Sequence, residues 1–153
     1  MIHIRPAKMD DLPKLLDFEQ GVISAERPFD PFIKEEKVTY YDLKNLIESA
    51  ESEILVAEID GKIIGSGYAQ IRESKPYWKD NSFVYLGFMY VDPSFRGKGI
   101  NRKIIEELKN WARSKNIPEL RLEVYTKNEA AIRAYEKSGF NDHMLEMRIN
   151  LND

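Results

Sequence analysis

An apolar run that turns through two glycines into an amphipathic helix constrains this chain more than any other feature. Residues 83–91, Phe-Val-Tyr-Leu-Gly-Phe-Met-Tyr-Val, are apolar enough for a central strand. Asp92-Pro93-Ser94-Phe95 turns the chain, and Arg96-Gly97-Lys98-Gly99-Ile100-Asn101-Arg102 follows. From there Ile100, Ile104, Ile105, Leu108, Trp111 and Ala112 form one helical stripe, opposite Arg102, Lys103, Glu106, Lys109 and Arg113. A strand that feeds a helix through a short loop is a building unit of α/β folds. Glycine lets the backbone approach a ligand closely and take positive φ. The first turn of a helix offers unpaired N–H groups and the positive end of the dipole. Together they make a site for phosphate groups. Arg96, Lys98 and Arg102 add positive charge, and no carboxylate stands between Arg96 and Arg102.

Other phosphate loops fit less well. A P-loop places Ser or Thr after Gly-Lys, but Gly97-Lys98 is followed by Gly99. A dinucleotide fingerprint needs a third glycine, where this chain has Arg102. Taken alone, two glycines here also describe a sharp strand-to-helix turn.

The rest of the chain alternates strand and helix patterns. Residues 2–5 read as a short strand. Asp10-Asp11-Leu12-Pro13 opens a helix that carries Leu12, Leu15, Leu16 and Glu19 and is expected to stop at Gly21. Arg27-Pro28-Phe29-Asp30-Pro31 is a loop, and residues 39–49 form a second helix. Strands at 54–59 and 62–71 flank the Asp60-Gly61 hairpin turn. After the central strand and its helix come a strand at 120–124, a helix capped by Asn128 and ended at Ser138-Gly139, and a last strand at 144–151. The order β-α-α-β-β-β-α-β-α-β predicts an α/β fold with a mixed sheet and helices on both faces, as one domain over residues 1–153.

Arg96-Gly97-Lys98-Gly99-Ile100-Asn101 resembles the pyrophosphate loop of the GNAT acetyltransferases, Gln/Arg-x-x-Gly-x-Gly/Ala, with Asn101 at the last position in place of Gly or Ala. Residues 128–140, Asn-Glu-Ala-Ala-Ile-Arg-Ala-Tyr-Glu-Lys-Ser-Gly-Phe, resemble the same family's second motif at the usual separation. The clear match covers residues 86–140, and the element order is that of the GNAT fold. The resemblance implies acetyl-CoA as co-substrate and no metal. Arg96, Gly97, Lys98, Gly99, Ile100, Asn101 and Arg102 would hold its phosphates. Met89, Tyr90 and Val91 would offer backbone groups to the pantetheine arm, with Asn128 and Ala131 beside it.

Acetyl transfer to an amine requires a base, because an alkyl ammonium has a pKa of about 10. Glu123 lies near the end of its strand that faces the cofactor motifs, and in some GNAT members a glutamate matching it is the base. Its alternative reading is a solvated strand residue. The departing thiolate needs a proton. Tyr135 can give one, since a phenol with a pKa of about 10 is protonated at neutral pH, and the resemblance implies the general-acid role. The alternative there is an aromatic packed on the sheet. The chain contains no cysteine, which disfavours an acetyl-cysteine intermediate and favours direct transfer in a ternary complex. His3 and His143 show no zinc spacing.

Charge is uneven. Residues 1–60 carry 14 acidic and 7 basic side chains, and residues 61–153 carry 12 and 16. The basic part holds the phosphate loop. The acidic part suits a cationic acceptor, with Glu26, Phe29, Asp30, Tyr77 and Trp78 as candidate contacts. The net charge of −3 and a pI of about 5.5 speak against a nucleic-acid partner. No apolar run spans a membrane, and no signal-peptide core precedes the first strand. The resemblance, taken with this composition, implies a cytoplasmic N-acetyltransferase acting on a primary amine of a small molecule, peptide N-terminus or lysine. A homodimer is carried as a candidate assembly. The rival readings are a non-catalytic acyl-CoA-binding module and a purely structural interaction domain.

Overall fold

Four strands form an antiparallel meander and a fifth joins it in parallel. The structure, a computed structural model, describes residues 1–152. The strands are β1 (His3–Pro6), β2 (Ser52–Ile59), β3 (Lys62–Glu73), β4 (Ser82–Val91) and β5 (Leu120–Arg121), and they lie in that order across the sheet. β4 and β5 are parallel and paired at Val84 with Leu120 and Tyr85 with Arg121. Their crossover is α3 (Ile100–Ser114). The other helices are α1 (Leu12–Glu26), α2 (Leu43–Glu48) and α4 (Glu129–Lys137).

Strand alternation divides the core between the two faces of the sheet. Leu55 and Ala57 pack with Ile100, Ile104 and Leu108 of α3. Their neighbours Ile54 and Val56 pack with Leu15, Phe18 and Val22 of α1 and with Leu43 and Leu46 of α2. The α3 stripe is the best buried part of the chain: Ile100, Ile104, Ile105 and Leu108 are each at most 2% exposed. At about 1.5–3 kcal/mol per fully buried aliphatic side chain, such a stripe anchors the loop at residues 92–99 to a rigid element.

The predicted α/β class, mixed sheet and helices on both faces are present. Several details differ. The sequence pattern stops the first helix at Gly21, but α1 runs on to Glu26. A Cβ at Gly21 would lie 2.5 Å from the Tyr90 ring, so this glycine serves close helix–sheet approach and is not a stop. The second helix shrinks from 39–49 to Leu43–Glu48, capped by Asp42 accepting from the Asn45 N–H. The fifth strand keeps only Leu120–Arg121 in the ladder, because β4 diverges from it beyond Tyr85. The last predicted strand, 144–151, is not in the sheet: residues 141–150 are exposed and pair with no strand among the described residues. Gly139 does end α4 at positive φ, +101°.

β4 carries a defect shortly before the loop that leads into α3. Phe88 has φ +58°, and the β3–β4 register shifts between Ser66 and Tyr68. A bulky residue in the left-handed region is strained, and such strain concentrates at functional sites. Here Ser66 Oγ donates to the Phe88 carbonyl at 3.0 Å, and the Phe88 ring is 1% exposed.

Candidate active site

The loop between β4 and α3 is shaped as its sequence demands. Asp92 accepts from the Ser94 N–H at 2.9 Å, which closes the turn. Arg96 Nε donates to the Val91 carbonyl at 3.0 Å and ties the loop back to the strand end. Gly97 and Gly99 have φ +78° and +76°, and a Cβ at either would meet nothing within 4 Å. The glycines therefore satisfy a backbone requirement and leave open space above the loop. Gly99 is itself the N-cap of α3, and no side chain caps this helix. The first-turn N–H groups thus face that space without a side-chain acceptor, beside Arg102 and Lys98. A dianionic pyrophosphate fits this donor set, and the residues 96–102 chosen from sequence are brought together here.

The divergence of β4 from β5 supplies the second half. Beyond Tyr85 the β4 edge has no ladder partner on that side among the described residues, and Met89, Tyr90 and Val91 lie along it, partly buried. Asn128 caps α4, accepting from the Ala131 N–H at 3.3 Å through Oδ1. Its side-chain NH₂ remains a donor for an amide carbonyl.

Tyr135 projects from α4 onto Phe140, ring centroids 6.1 Å apart and nearly perpendicular. Burial first, and then the Glu26 carboxylate, push its hydroxyl up to about 12. The phenol is therefore a donor across the working pH range.

Glu26 lies at the end of α1. Half-burial raises its pKa, opposed by a hydrogen bond from Tyr40 and reinforced by Asp30. Tyr125 Oη donates to Asp30 Oδ2 at 2.7 Å, which with the Phe32 N–H holds that carboxyl below its usual range. Phe29 stacks on Tyr125 at 6.3 Å. Glu26, Phe29 and Asp30, all candidate acceptor contacts, thus gather with Tyr40 and Tyr125. Tyr77 and Trp78 do not join them. The Arg121 guanidinium lies over the Trp78 ring at 4.0 Å, Trp78 packs edge-on to Phe83, and Tyr77 is exposed.

Glu123 is exposed and accepts from Tyr85 Oη at 2.7 Å. Arg72 stacks on the Tyr85 ring at 3.7 Å, and its guanidinium reaches Tyr68 Oη at 3.5 Å. The Tyr85 phenol is raised by burial and by Glu123. Sequence reasoning missed Tyr85, Arg72, Tyr40 and Tyr125. Tyr85 and Arg72 sit in strands at alternating positions, so strand facing was a usable signal for them. Tyr40 and Tyr125 had none.

Among the described residues no cluster of His, Cys, Asp and Glu could hold a metal ion, and no helix is long and apolar enough to cross a membrane.

The profile of the Acetyltransferase (GNAT) family matches residues 20–140. Thialysine N-epsilon-acetyltransferase of Bos taurus is 31% identical over 147 residues, covering 92% of this chain and 85% of that protein. An uncharacterized N-acetyltransferase of Methanocaldococcus jannaschii is 28% identical, covering 91% of this chain; the chain spans only 60% of that relative's length. A similar share, 62%, holds for an acetyltransferase of Pectobacterium atrosepticum. Among solved structures, a predicted acetyltransferase from Clostridium acetobutylicum, crystallised with acetyl-CoA, superposes with a TM-score of 0.79 at 25% identity over 99% of this chain and 97% of its own. A Bacillus halodurans protein superposes with a TM-score of 0.88 at 21% identity, over 97% of this chain and 99% of its own, which shows the fold. With this profile match over most of its length, the chain belongs to the GNAT acetyltransferase family, whose co-substrate is acetyl-CoA.

Proposed function

We propose that this protein transfers the acetyl group of acetyl-CoA to a primary amine on a small, cationic acceptor, by direct attack in a ternary complex. Three observations support this reading: the uncapped α3 N-terminus behind the Gly97/Gly99 loop, the β4 edge that pairs with β5 only at Val84 and Tyr85, and the partly buried Tyr135 phenol, which feels the Glu26 carboxylate. Residues 96–102 bind the phosphates, the Met89, Tyr90 and Val91 backbone takes the pantetheine amides, and Asn128 and Ala131 border that arm. The acetyl carbonyl then points toward Tyr135 and the acceptor carboxylates.

The neutral amine nitrogen attacks the carbonyl carbon, a C–N bond forms and the C–S bond breaks. Tyr135 gives its proton to the departing thiolate, whose conjugate thiol has a pKa of roughly 8.5. The proton lost by the ammonium goes to a carboxylate. Glu123, oriented by the hydrogen bond it accepts from the Tyr85 hydroxyl, is the base in this reading. Glu26 is the second candidate, because half-burial raises its proton affinity and its field reaches Tyr135. A base of higher pKa is the better match to neutral pH.

The acceptor class follows from Glu26, Asp30, Phe29, Tyr40 and Tyr125. Carboxylates flanked by aromatic faces suit an ammonium. The bovine relative is by name an enzyme for the ε-amine of thialysine. We extend that class, an amine at the end of a short aliphatic or thioether chain, to this protein. Dependence on acetyl-CoA implies the cytoplasm as its compartment. A panel of thialysine, lysine, aliphatic polyamines and peptide N-termini, assayed for release of the CoA thiol, tests the reading. Side-chain-type amines should turn over fastest. Cofactor binding without turnover of any amine would return the protein to an acyl-CoA-binding module.

A further inference from the structure

Strand facing collects a row of tyrosines on the α1 side of the sheet. Tyr68, Gln70 and Arg72 share one face of β3 by alternation, and Gln70 pairs with Tyr85 of β4. Tyr68 packs into the core beneath α1 and α2, which fixes that face. Four rings follow one another there. Tyr40 meets Tyr41 at 5.6 Å, Tyr41 meets Tyr68 at 5.6 Å, and Tyr68 meets Tyr85 at 6.3 Å between centroids. Gly87 makes room for the Tyr68 ring, which a Cβ at that position would meet at 2.6 Å. One end of the row is acidic, with Tyr40 bonded to the Glu26 carboxylate. At the other end Tyr85 donates to Glu123 and carries the Arg72 guanidinium on its face at 3.7 Å.

Among the described residues, no carboxylate lies within ion-pair distance of Arg72, whereas Arg5 bridges both Asp11 and Glu58. Arg72 Nε donates to Gln70 Oε1 at 3.0 Å. Nη2 reaches Tyr68 Oη at 3.5 Å, a weak contact. Nη1 donates to no protein acceptor among the described residues. The Tyr85 ring and Gln70 therefore fix the plane of a partly buried guanidinium whose charge the chain leaves unpaired. A planar guanidinium takes a carboxylate through two parallel N–H···O bonds. A single cation balances a carboxylate and leaves a phosphate dianion half neutralised.

We infer that Arg72 binds the carboxylate of the acceptor, so that the acceptor is a free amino acid with a side-chain amine. This rests on the acetyl-transfer reading above and narrows it. The carboxylate sits on Arg72, the aliphatic or thioether chain lies along the tyrosine faces, and the distal ammonium lies between Glu123 and Glu26. Polyamines, and lysine side chains within a protein, lack that carboxylate and lose the anchor.

Thialysine, its carboxamide and its decarboxylated diamine separate the anchor from the amine. The diamine carries the greater positive charge, so an acidic site without the anchor would prefer it. With the anchor, wild-type kcat/KM for thialysine should exceed that for the amide and the diamine by about 10–100-fold. Arg72→Met keeps an apolar stem on Tyr85. It should raise the KM for thialysine by a similar factor, hold kcat near wild type and leave the diamine unchanged. Arg72→Lys should recover part of the loss, since it restores the charge without the fork. An unchanged Kd for acetyl-CoA reports intact folding of each variant, and the three-ligand comparison needs no variant. Calorimetric binding of the same three compounds to the CoA-loaded protein reads the anchor without turnover. Thialysine binding that depends on Arg72, without acetyl transfer, would support the anchor and remove the reaction. Equal handling of the three compounds, or a loss in Arg72→Met shared by thialysine and the diamine, overturns the anchor while the reaction stands. Failure of thialysine to bind at all overturns it as well.

Discussion

The two sides of the proposed active site are built in opposite ways. The cofactor side is local. Residues 89–102 supply the strand edge, the turn and the helix N-terminus, and the buried α3 stripe fixes them to the sheet. The acceptor side is composite. Glu26 comes from the end of α1, Asp30 from the turn that follows it, Tyr40 from the segment before α2, Tyr125 from beyond β5 and Tyr135 from α4. A local site is specified by backbone geometry and survives wide sequence change. A composite site is specified by tertiary packing, so the acceptor can vary while the cofactor stays the same. This is the division expected when loops carry specificity on a rigid scaffold.

The largest effect should come from the local side. Gly99→Val places a β-branched side chain at φ +76° in the space above the loop. Acetyl-CoA at about 100 times its wild-type Kd should stabilise the native protein by roughly 2.7 kcal/mol, and the variant should lose that shift in a thermal melt. An undiminished shift would make the loop a simple turn and erase the contrast between the two sides.

Next is Tyr135→Phe, which removes one hydroxyl and keeps the ring on Phe140. Single-turnover transfer should slow by about 10²–10⁴-fold with acetyl-CoA affinity retained. With the Tyr135 proton held up to about 12, the wild-type rate should show no loss of this acid between pH 7 and about 10. An equal fall in affinity and rate would assign the residue to binding.

A smaller, pH-dependent effect separates the carboxylates. The variant of the true base should be slow at neutral pH and approach the wild-type rate toward pH 9–10, where an amine of pKa about 10 arrives increasingly neutral. We expect this narrowing for Glu123→Gln and a pH-independent loss in acceptor affinity for Glu26→Gln. Because burial raises the Glu26 pKa, its carboxylate opposes folding as pH rises through that range, so Glu26→Gln should be no less stable at neutral pH. If the narrowing appears in Glu26→Gln instead, the base sits on α1.

The smallest effect concerns the seam between the sides. Gly21→Ala brings a Cβ to 2.5 Å from the Tyr90 ring, which packs on Phe18 at 4.7 Å. Overpacking costs about 1–3 kcal/mol and helix propensity returns up to about 1 kcal/mol, so a melt should drop by a few degrees. No change would mean that α1 slides freely over β4.

The same contrast explains what could be read from the sequence. Residues 96–102 and 128–139 were legible because glycine φ, helix caps and the α3 stripe are local consequences of residue type. Gly21 was misread as a stop because a glycine that admits a neighbouring ring looks the same in sequence as one that ends a helix. The alternation at 144–151 was legible as a pattern, but a pattern names a dry face without naming what covers it, and among the described residues 141–150 stay exposed and outside the sheet. The Glu123–Tyr85 hydrogen bond joins residues 38 apart and the Tyr125–Asp30 bond residues 95 apart, and no spacing rule links either pair.

The most direct measurement of the central claim is hydrogen exchange of the full chain with and without acetyl-CoA, in the absence of amine, alongside a calorimetric titration. A preformed cofactor side predicts one molecule bound per chain. It also predicts added protection at the amides of residues 97–102 and along 89–91, with the 26–41 segment unchanged until an amine is added. Absence of binding heat, or binding with protection confined to residues outside 89–102, would contradict it.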